Sequence, residues 1–232
     1  MSDARVTDGE QVRSLSEALR VILTRPGPRI IVAAALGGWA ARLALGRASV
    51  TDAVICAGVA AWWPFQEWLA HKHLLHLAPD PARPLVDDPV FAQRHRAHHR
   101  NPRDVDDTLL PVAVIAAAIP ASAIVWALAF RSARPALTAF AAYSTMAGVY
   151  EWTHFLVHTG VKPSSAFYHR VRRNHRLHHY RNEHYWLGFT LPWVDQWLGT
   201  EPDPRAVPHS KTARDLFGDA AARGHDGGDA QR

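Results

Sequence analysis

Ten of the chain's fifteen histidines lie in two matching copies of one pattern, in which a Glu-Trp pair precedes two histidines and the sequence His-Arg-x-His-His follows. The first copy contains His71, His76, His95, His98 and His99, and the second contains His154, His158, His175, His178 and His179. Imidazole is the commonest metal-binding side chain. Ten imidazoles exceed the roughly four ligands of one tetrahedral zinc ion. Two metal ions with four or five imidazoles each are the simplest interpretation.

The spacing within each copy predicts which histidines share a helix face. His154 and His158 are four residues apart, and both His-x-x-His-His runs also have helical spacing, so each set lies on one face of an α-helix. His71 and His76 are five residues apart and fit such a face less well. We therefore expect a local bend where the helix meets the next segment. His73 falls off that face and is left out of the predicted ligand set.

A glutamate precedes the first histidine of each copy. Glu67 lies four residues before His71, and Glu151 lies three before His154. Metal-bound imidazoles usually donate their second ring N–H to a carboxylate or carbonyl, which fixes the ring's orientation. We predict this orienting role for both glutamates. Direct metal ligation and a glutamate that merely reaches the membrane interface are the alternatives.

The histidine copies follow apolar segments. Residues 109–130 contain no charge and are long enough to cross roughly 30 Å of hydrocarbon. Three weaker apolar segments contain few charges, of which Arg42 and Asp52 are examples. The predicted spans are 30–46, 50–70, 109–130 and 135–157. A buried helix of a soluble protein is the alternative for 109–130, and buried or re-entrant helices are the alternative for the others.

Basic residues predict the orientation of these spans. Most arginines lie in the first 28 residues, in 71–108 and after 158, which places both termini and both histidine regions in the cytoplasm. The predicted fold is an all-α integral membrane protein with four transmembrane helices and a cytoplasmic histidine-rich helical cap that holds a di-metal site. The predicted divisions are a polar lead (1–28), a membrane domain (29–200) and a disordered tail (201–232).

Composition excludes several other classes of protein. One cysteine rules out a disulfide framework or a cysteine-based zinc fold. A pI near 9.8 is typical of nucleic-acid binding, but here the arginines flank apolar spans, and we expect no nucleic-acid partner. Arginine greatly outnumbers lysine, as in proteins of GC-rich bacteria. We therefore expect a bacterial cytoplasmic membrane.

The complete pattern resembles the fatty acid hydroxylase/sterol desaturase superfamily. The resemblance rests on the spacing of all ten histidines and on residues 187–200 (LGFTLPWVDQWLGT), which are similar to the superfamily's closing signature. One departure is Val194, which separates Trp193 from Asp195. The eighteen residues between His76 and His95, and the sequence His178-His179-Tyr180, most resemble fatty acid 2-hydroxylases.

The resemblance implies a membrane enzyme with two iron ions that uses O2 as co-substrate to hydroxylate a lipid C–H bond, most simply on a fatty acyl chain. It assigns all ten histidines as metal ligands and no further catalytic residue. Neutral imidazole suits iron and zinc alike, so purified protein can carry zinc. A separate donor, a ferredoxin or small cytochrome with its reductase, must supply electrons.

Two other interpretations stay open from the sequence. A carotenoid, sterol or other isoprenoid hydroxylase or desaturase of the same superfamily would carry the same histidines. A histidine-based metal transporter is the alternative from another class, although transport sites usually lie near the bilayer midplane and these histidines follow the spans.

Overall fold

A computed structural model describes residues 6–79, 88–162 and 164–217, and this part of the chain contains helices and turns but no strand. The α-helices are α1 (Leu15–Leu23), α2 (Pro26–Ala44), α3 (Val50–Ala70), α4 (Val90–Arg100), α5 (Val105–Thr108), α6 (Val112–Phe130), α7 (Ala133–Val157), α8 (Ala166–Tyr180) and α9 (Trp193–Trp197). A π-helical turn, His71–Leu75, continues α3.

Two helical hairpins, α2–α3 and α6–α7, form the main bundle. Pro26 begins α2. The first N–H groups of a helix have no acceptor within the helix, so the missing N–H of proline breaks no hydrogen bond there. Ser49 caps α3 in a reciprocal capping box with Asp52. Arg131 ends α6 in the left-handed conformation (φ 50°) and allows the sharp reversal into α7. Helix α7 packs against α2, α3 and α6 and is therefore the centre of the bundle.

The two charges that interrupt the first apolar segments are partners. Arg42 of α2 and Asp52 of α3 are both buried, and the Arg42 Nε atom donates to Asp52 Oδ1 at 2.8 Å. Thr138 of α7 also donates to the Asp52 carboxylate. The pair therefore ties α2, α3 and α7 together near the turn between the first two helices.

Membrane character is strongest in the second hairpin. The stretch Val105–Phe130, which contains α5 and α6, is long and apolar enough to cross a membrane, and among the described residues it alone meets that criterion. An apolar helix therefore lies where a span is predicted, and it is a candidate membrane helix. The other three spans and the cytoplasmic cap stay predictions.

The described residues that precede and follow this bundle pack against it. In the lead, Val12 and Ile22 share an apolar cluster with Phe155 of α7. Residues 201–217 were predicted to be disordered from their Pro, Gly and Asp content, and this prediction is wrong for them. Ala213 and Leu216 are buried there, because the segment folds back over the histidine helices. The rest of the predicted tail, 218–232, lies outside the described residues.

Candidate metal centre

The structure gathers the ten patterned histidines into two adjacent groups of five. The first group contains His71, His76, His95, His99 and His178, and the second contains His98, His154, His158, His175 and His179. Within each group, one ring nitrogen from every histidine lies within 4.8 Å of the others. Eight of the ten side chains are buried, and His76 and His158 are half-buried. His73, which the spacing left out, is in neither group.

The two sequence copies exchange one histidine each. In each His-x-x-His-His run, the first and last histidines join the group of their own copy, whereas the middle histidine joins the other group. His98 thus lies with the second copy, and His178 lies with the first. Residues four apart point in nearly the same direction on a helix, while adjacent residues diverge by about 100°. Each of α4 and α8 therefore contributes to both groups.

The π-helical turn explains the awkward five-residue spacing of His71 and His76. A π-helix bonds residue i to i+5 and therefore places those residues above one another, as an α-helix does for i+4. The turn spans His71–Leu75, and the two ring centroids lie 4.9 Å apart. The predicted local bend is thus a single π-helical turn at the end of α3.

Backbone carbonyls fix the ring orientation in the first group. The Nδ1 atoms of three histidines lie within hydrogen-bond distance of carbonyl oxygens: His71 of Leu187 (2.6 Å), His99 of Ala213 (2.8 Å) and His178 of Tyr185 (2.9 Å). A carbonyl oxygen only accepts, so each Nδ1 must carry the proton. The Nε2 lone pairs of these three rings therefore point into the group.

Nitrogen lone pairs that point at one position favour a bound cation there. The Nε2 atom of His95 lies 3.1 Å from that of His71 and 3.2 Å from those of His76 and His99. Two nitrogens bound at right angles to one ion, each roughly 2.1 Å from it, would be about 3 Å apart. The residues of the first group therefore fit a bound metal ion.

Burial keeps these rings in the neutral form that metals bind. It lowers the pKa of His71 to about 4, and it lowers the pKa of His99 to about 3. The pKa values of His95, His175 and His178 also fall well below 6.5, first through burial and then through neighbouring histidines. At neutral pH both groups therefore offer uncharged nitrogen donors.

In the second group the Nε2 atoms also converge, but fewer of the rings have a hydrogen-bond partner at their other nitrogen. Nε2 of His158 and His179 lie 2.8 Å and 3.0 Å from Nε2 of His175. The Nε2 atoms of His98 and His154 are buried without a hydrogen-bond partner in the described part of the chain. Unpaired buried polar atoms are rare in folded proteins. A metal ion would satisfy both.

The two glutamates have other partners than the histidines predicted for them. Glu67 Oε1 accepts hydrogen bonds from the backbone N–H groups of Phe189 (2.7 Å) and Thr190 (3.0 Å), and the Thr190 hydroxyl donates to Oε2. Glu151 Oε1 accepts from the backbone N–H of Leu110 at 3.2 Å. Helix spacing favoured direct contact with the histidines, but the carboxylates reach loops that cover the site instead.

Two carboxylates hold the backbone of the 187–200 segment through hydrogen bonds. Asp195 accepts the backbone N–H of Leu187 on Oδ1 and that of Gly188 on Oδ2, both at 2.9 Å. A Cβ on Gly188 would lie 2.4 Å from Val194 Cγ1, so the turn requires glycine. Glu67 holds the next two residues of the segment. Together the two carboxylates position the Leu187 carbonyl that orients His71.

The sequence analysis missed these carbonyl partners. Leu187 opens the quoted closing signature, which gave a signal that the region matters. Tyr185 and Ala213 offered none, because any residue type supplies the same backbone carbonyl. Only the tertiary contacts identify them.

A narrow cleft reaches both groups at once. His95 of the first group and His154 of the second line it together with Tyr150. The remaining lining mixes apolar and polar side chains near the start of α6; it comprises Leu75, Phe91, Arg94, Asp107, Thr108, Leu109, Leu110 and Pro111. A separate cavity of about 260 Å³ has Lys72 and Glu183 in its wall, and it reaches the first group only at His76.

Comparison with known families agrees with this geometry. The sequence model of the fatty acid hydroxylase family matches residues 56–200. The chain belongs to this family. The matched range runs from within α3 to the end of the 187–200 segment and contains all ten histidines, so the resemblance inferred from their spacing is confirmed.

Two individual proteins are also similar to this chain. Dihydroceramide fatty acyl 2-hydroxylase of Arabidopsis thaliana is 24% identical over 155 residues, which cover 66% of this chain and 62% of that protein. This chain thus spans less than two thirds of that relative. The structure of full-length Scs7p, in which only the hydroxylase domain is visible, matches with a TM-score of 0.64 and 23% identity, covering 80% of this chain and 68% of that one. The match shows a shared fold.

Proposed function

We propose that the protein hydroxylates a C–H bond of a fatty acyl chain in an O2-dependent reaction at two iron ions held by the ten histidines. The observation that carries the proposal is the pair of buried five-histidine groups in contact with each other. The ring centroids of His99 and His179, one from each group, lie 4.2 Å apart. Membership of the fatty acid hydroxylase family supports the reaction class.

The bound iron would supply the oxygen activation that protein side chains cannot perform. The chain's own residues hold neutral nitrogen donors in fixed orientations and keep water away. Phe189 is buried and stacks against His154, with ring centroids 4.9 Å apart, and the Tyr150 ring centroid also lies 4.9 Å from that of Phe189. These rings exclude solvent from the histidines and thereby limit side reactions.

The cleft between the groups is the proposed path of the substrate. Leu109, Leu110 and Pro111 form its apolar wall at the start of α6, which is the helix that meets the membrane criterion. An acyl chain entering from the bilayer would therefore pass apolar side chains before it reaches His95 and His154. The relative from Arabidopsis thaliana, a fatty acyl 2-hydroxylase by name, favours an acyl chain as substrate.

The same proposal includes four membrane spans with both termini and the histidines in the cytoplasm, in a bacterial cytoplasmic membrane. Exposed apolar side chains on three helices support it: Leu36 of α2 is 66% exposed, Val54 of α3 is 65% exposed and Leu128 of α6 is 72% exposed. Lipid would cover these faces. Electrons would come from a separate ferredoxin or small cytochrome with its reductase.

Lipid mass spectrometry under isotopically heavy O2 tests the proposal. Cells that produce the wild-type protein should accumulate acyl chains that carry one heavy oxygen atom, and cells that produce the His98→Ala variant should not. A heavy oxygen found only in isoprenoids would assign the other substrate class. Unchanged lipids together with altered metal uptake would reject the hydroxylase.

A further inference from the structure

The proposed hydroxylation needs a supply of electrons, and the inference below rests on that proposed function. Hydroxylation of a C–H bond follows RH + O2 + 2 H⁺ + 2 e⁻ → ROH + H2O: the substrate carbon and the added electrons reduce O2, one oxygen atom enters the product and the other leaves as water. The reaction therefore needs two electrons per turnover; a one-electron carrier would deliver them in two encounters and would have to approach a metal ligand closely.

We propose that an acidic one-electron redox protein docks on the outer face of α8 and the adjoining residues 207–214. We name this the α8 face and define it by the exposed side chains of Arg173, Arg176, Lys211 and Arg214. The two elements meet where the backbone N–H of Ser210 donates to the Arg181 carbonyl at 2.8 Å.

The charge of the α8 face is one-sided. Helix α8 contains four arginines and no acidic residue, and residues 207–214 contain two basic residues and no acidic one. Arg170 is paired with Glu201, but Arg176 and Lys211 have no carboxylate partner among the described residues. Complementary charge steers protein association and raises its rate more than its final affinity. The face thus fits a partner with an acidic surface.

A direct connection runs from this face to both histidine groups. The Nδ1–H of His99 donates to the Ala213 carbonyl at 2.8 Å, and Arg214 is the next residue along the chain. The Arg214 guanidinium lies over the Tyr180 ring at 5.1 Å, which holds it against α8. The His99 ring contacts His95 of its own group and His179 of the other.

His99 is thus one hydrogen bond from the segment that carries Arg214, and it touches both proposed metal sites. Anionic lipid headgroups would also match the positive charge, but headgroup binding would need no link between the surface and a metal ligand. The link favours an electron carrier over lipid, and it makes Ala213 the expected point of electron entry.

Steady-state turnover in nanodiscs of neutral phosphatidylcholine tests the proposal. The reductant is an acidic [2Fe–2S] ferredoxin with its reductase, and the variants are Arg176→Glu/Arg214→Glu and the milder Lys211→Glu. The matched control, Arg47→Glu/Arg131→Glu, makes the same charge change at the two turns of the helical hairpins. Metal content is measured for each protein.

We expect the double variant to raise the KM for ferredoxin about tenfold or more at unchanged metal content and kcat, and Lys211→Glu to raise it less. The control should match wild type. Added salt should slow the wild type more than the double variant, because screening removes an attraction that the variant lacks. Turnover driven by reduced methyl viologen, a small cation, should not fall.

An unchanged KM in both variants would overturn the docking site. An effect that appears only after anionic lipid is added would overturn it too and would assign the face to headgroups. Loss of turnover with methyl viologen in the double variant would show structural damage instead of lost docking. Absence of hydroxylation by wild type with either reductant would reject the proposed function, and this inference with it.

Discussion

Asp195 and Glu67, the two carboxylates that hold the 187–200 segment, should differ in how strongly they respond to replacement by the matching amide. At Asp195 the two backbone N–H groups lie on different oxygens, Leu187 on Oδ1 and Gly188 on Oδ2. Asparagine has only one acceptor oxygen, so Asp195→Asn places its NH2 group against one of these amides. At Glu67 both backbone donors share Oε1. Glutamine can keep that oxygen and donate from its NH2 to the Thr190 hydroxyl.

The expected difference follows from the energy of one unpaired buried donor. Such a donor destabilises a folded protein by about 1–3 kcal/mol. Asp195→Asn should therefore loosen the Leu187 carbonyl that orients His71, and metal retention should fall roughly thirtyfold for a loss of about 2 kcal/mol. Glu67→Gln should change retention by about threefold or less, because every hydrogen bond has a replacement. Glu67→Ala, which removes all three, should behave like Asp195→Asn or worse.

The assay is competition with a chelator in detergent, followed by metal analysis and thermal unfolding of each variant. Thr190→Val serves as a control that removes only the hydroxyl bond to Glu67. The reasoning fails if Glu67→Gln loses metal as readily as Asp195→Asn, because charge and not hydrogen-bond geometry would then position the segment. It also fails if Asp195→Asn retains metal like the wild type.

Three further predictions concern the histidines and the buried ion pair. His98→Ala should lower the metal content from two ions to one by emptying the second histidine group. His178→Ala should instead empty the first group. Equal spectroscopic effects of both variants would contradict the assignment of these two histidines to opposite groups. Metal-free protein should lose stability as pH falls from 6.5 to about 4, because the lowered pKa of His71 means that the folded state binds fewer protons than the unfolded state. This ring alone should account for a loss of about 3 kcal/mol in the free energy of unfolding. Thermal unfolding across that pH range measures it. Arg42→Met should lower the unfolding temperature more than Arg42→Met with Asp52→Leu, since the single change leaves a buried carboxylate unpaired; a single variant as stable as the double would show that the pair adds nothing.

The ligand set and the helical class could be predicted from the sequence because both depend on local periodicity. Histidines at i and i+4 share a helix face wherever that helix lies, and an uncharged segment such as 109–130 has a membrane-helix composition in any fold. The family resemblance rested on the same spacings. The sequence also indicated that something unusual must join His71 to His76, because five residues do not fit an α-helical face.

The partners of those residues depended on contacts between segments that are distant in the chain. Spacing could not show that His98 and His178 cross to the opposite groups, because this requires α4 and α8 to lie between both sites. It suggested Glu67 as a partner of His71 from helix geometry, whereas the folded chain brings a backbone carbonyl to His71 and sends Glu67 to a loop 122 residues away.

Contacts between distant segments also explain why residues 201–217 fold against the histidine helices. Composition predicted disorder from residue 201, because Pro, Gly and Asp have weak helical preference and little apolar surface to bury. The Ala213 carbonyl nevertheless accepts a hydrogen bond from His99, 114 residues earlier in the chain. Local sequence determined which side chains could bind metal, and long-range packing alone decided which backbone atoms hold them in place.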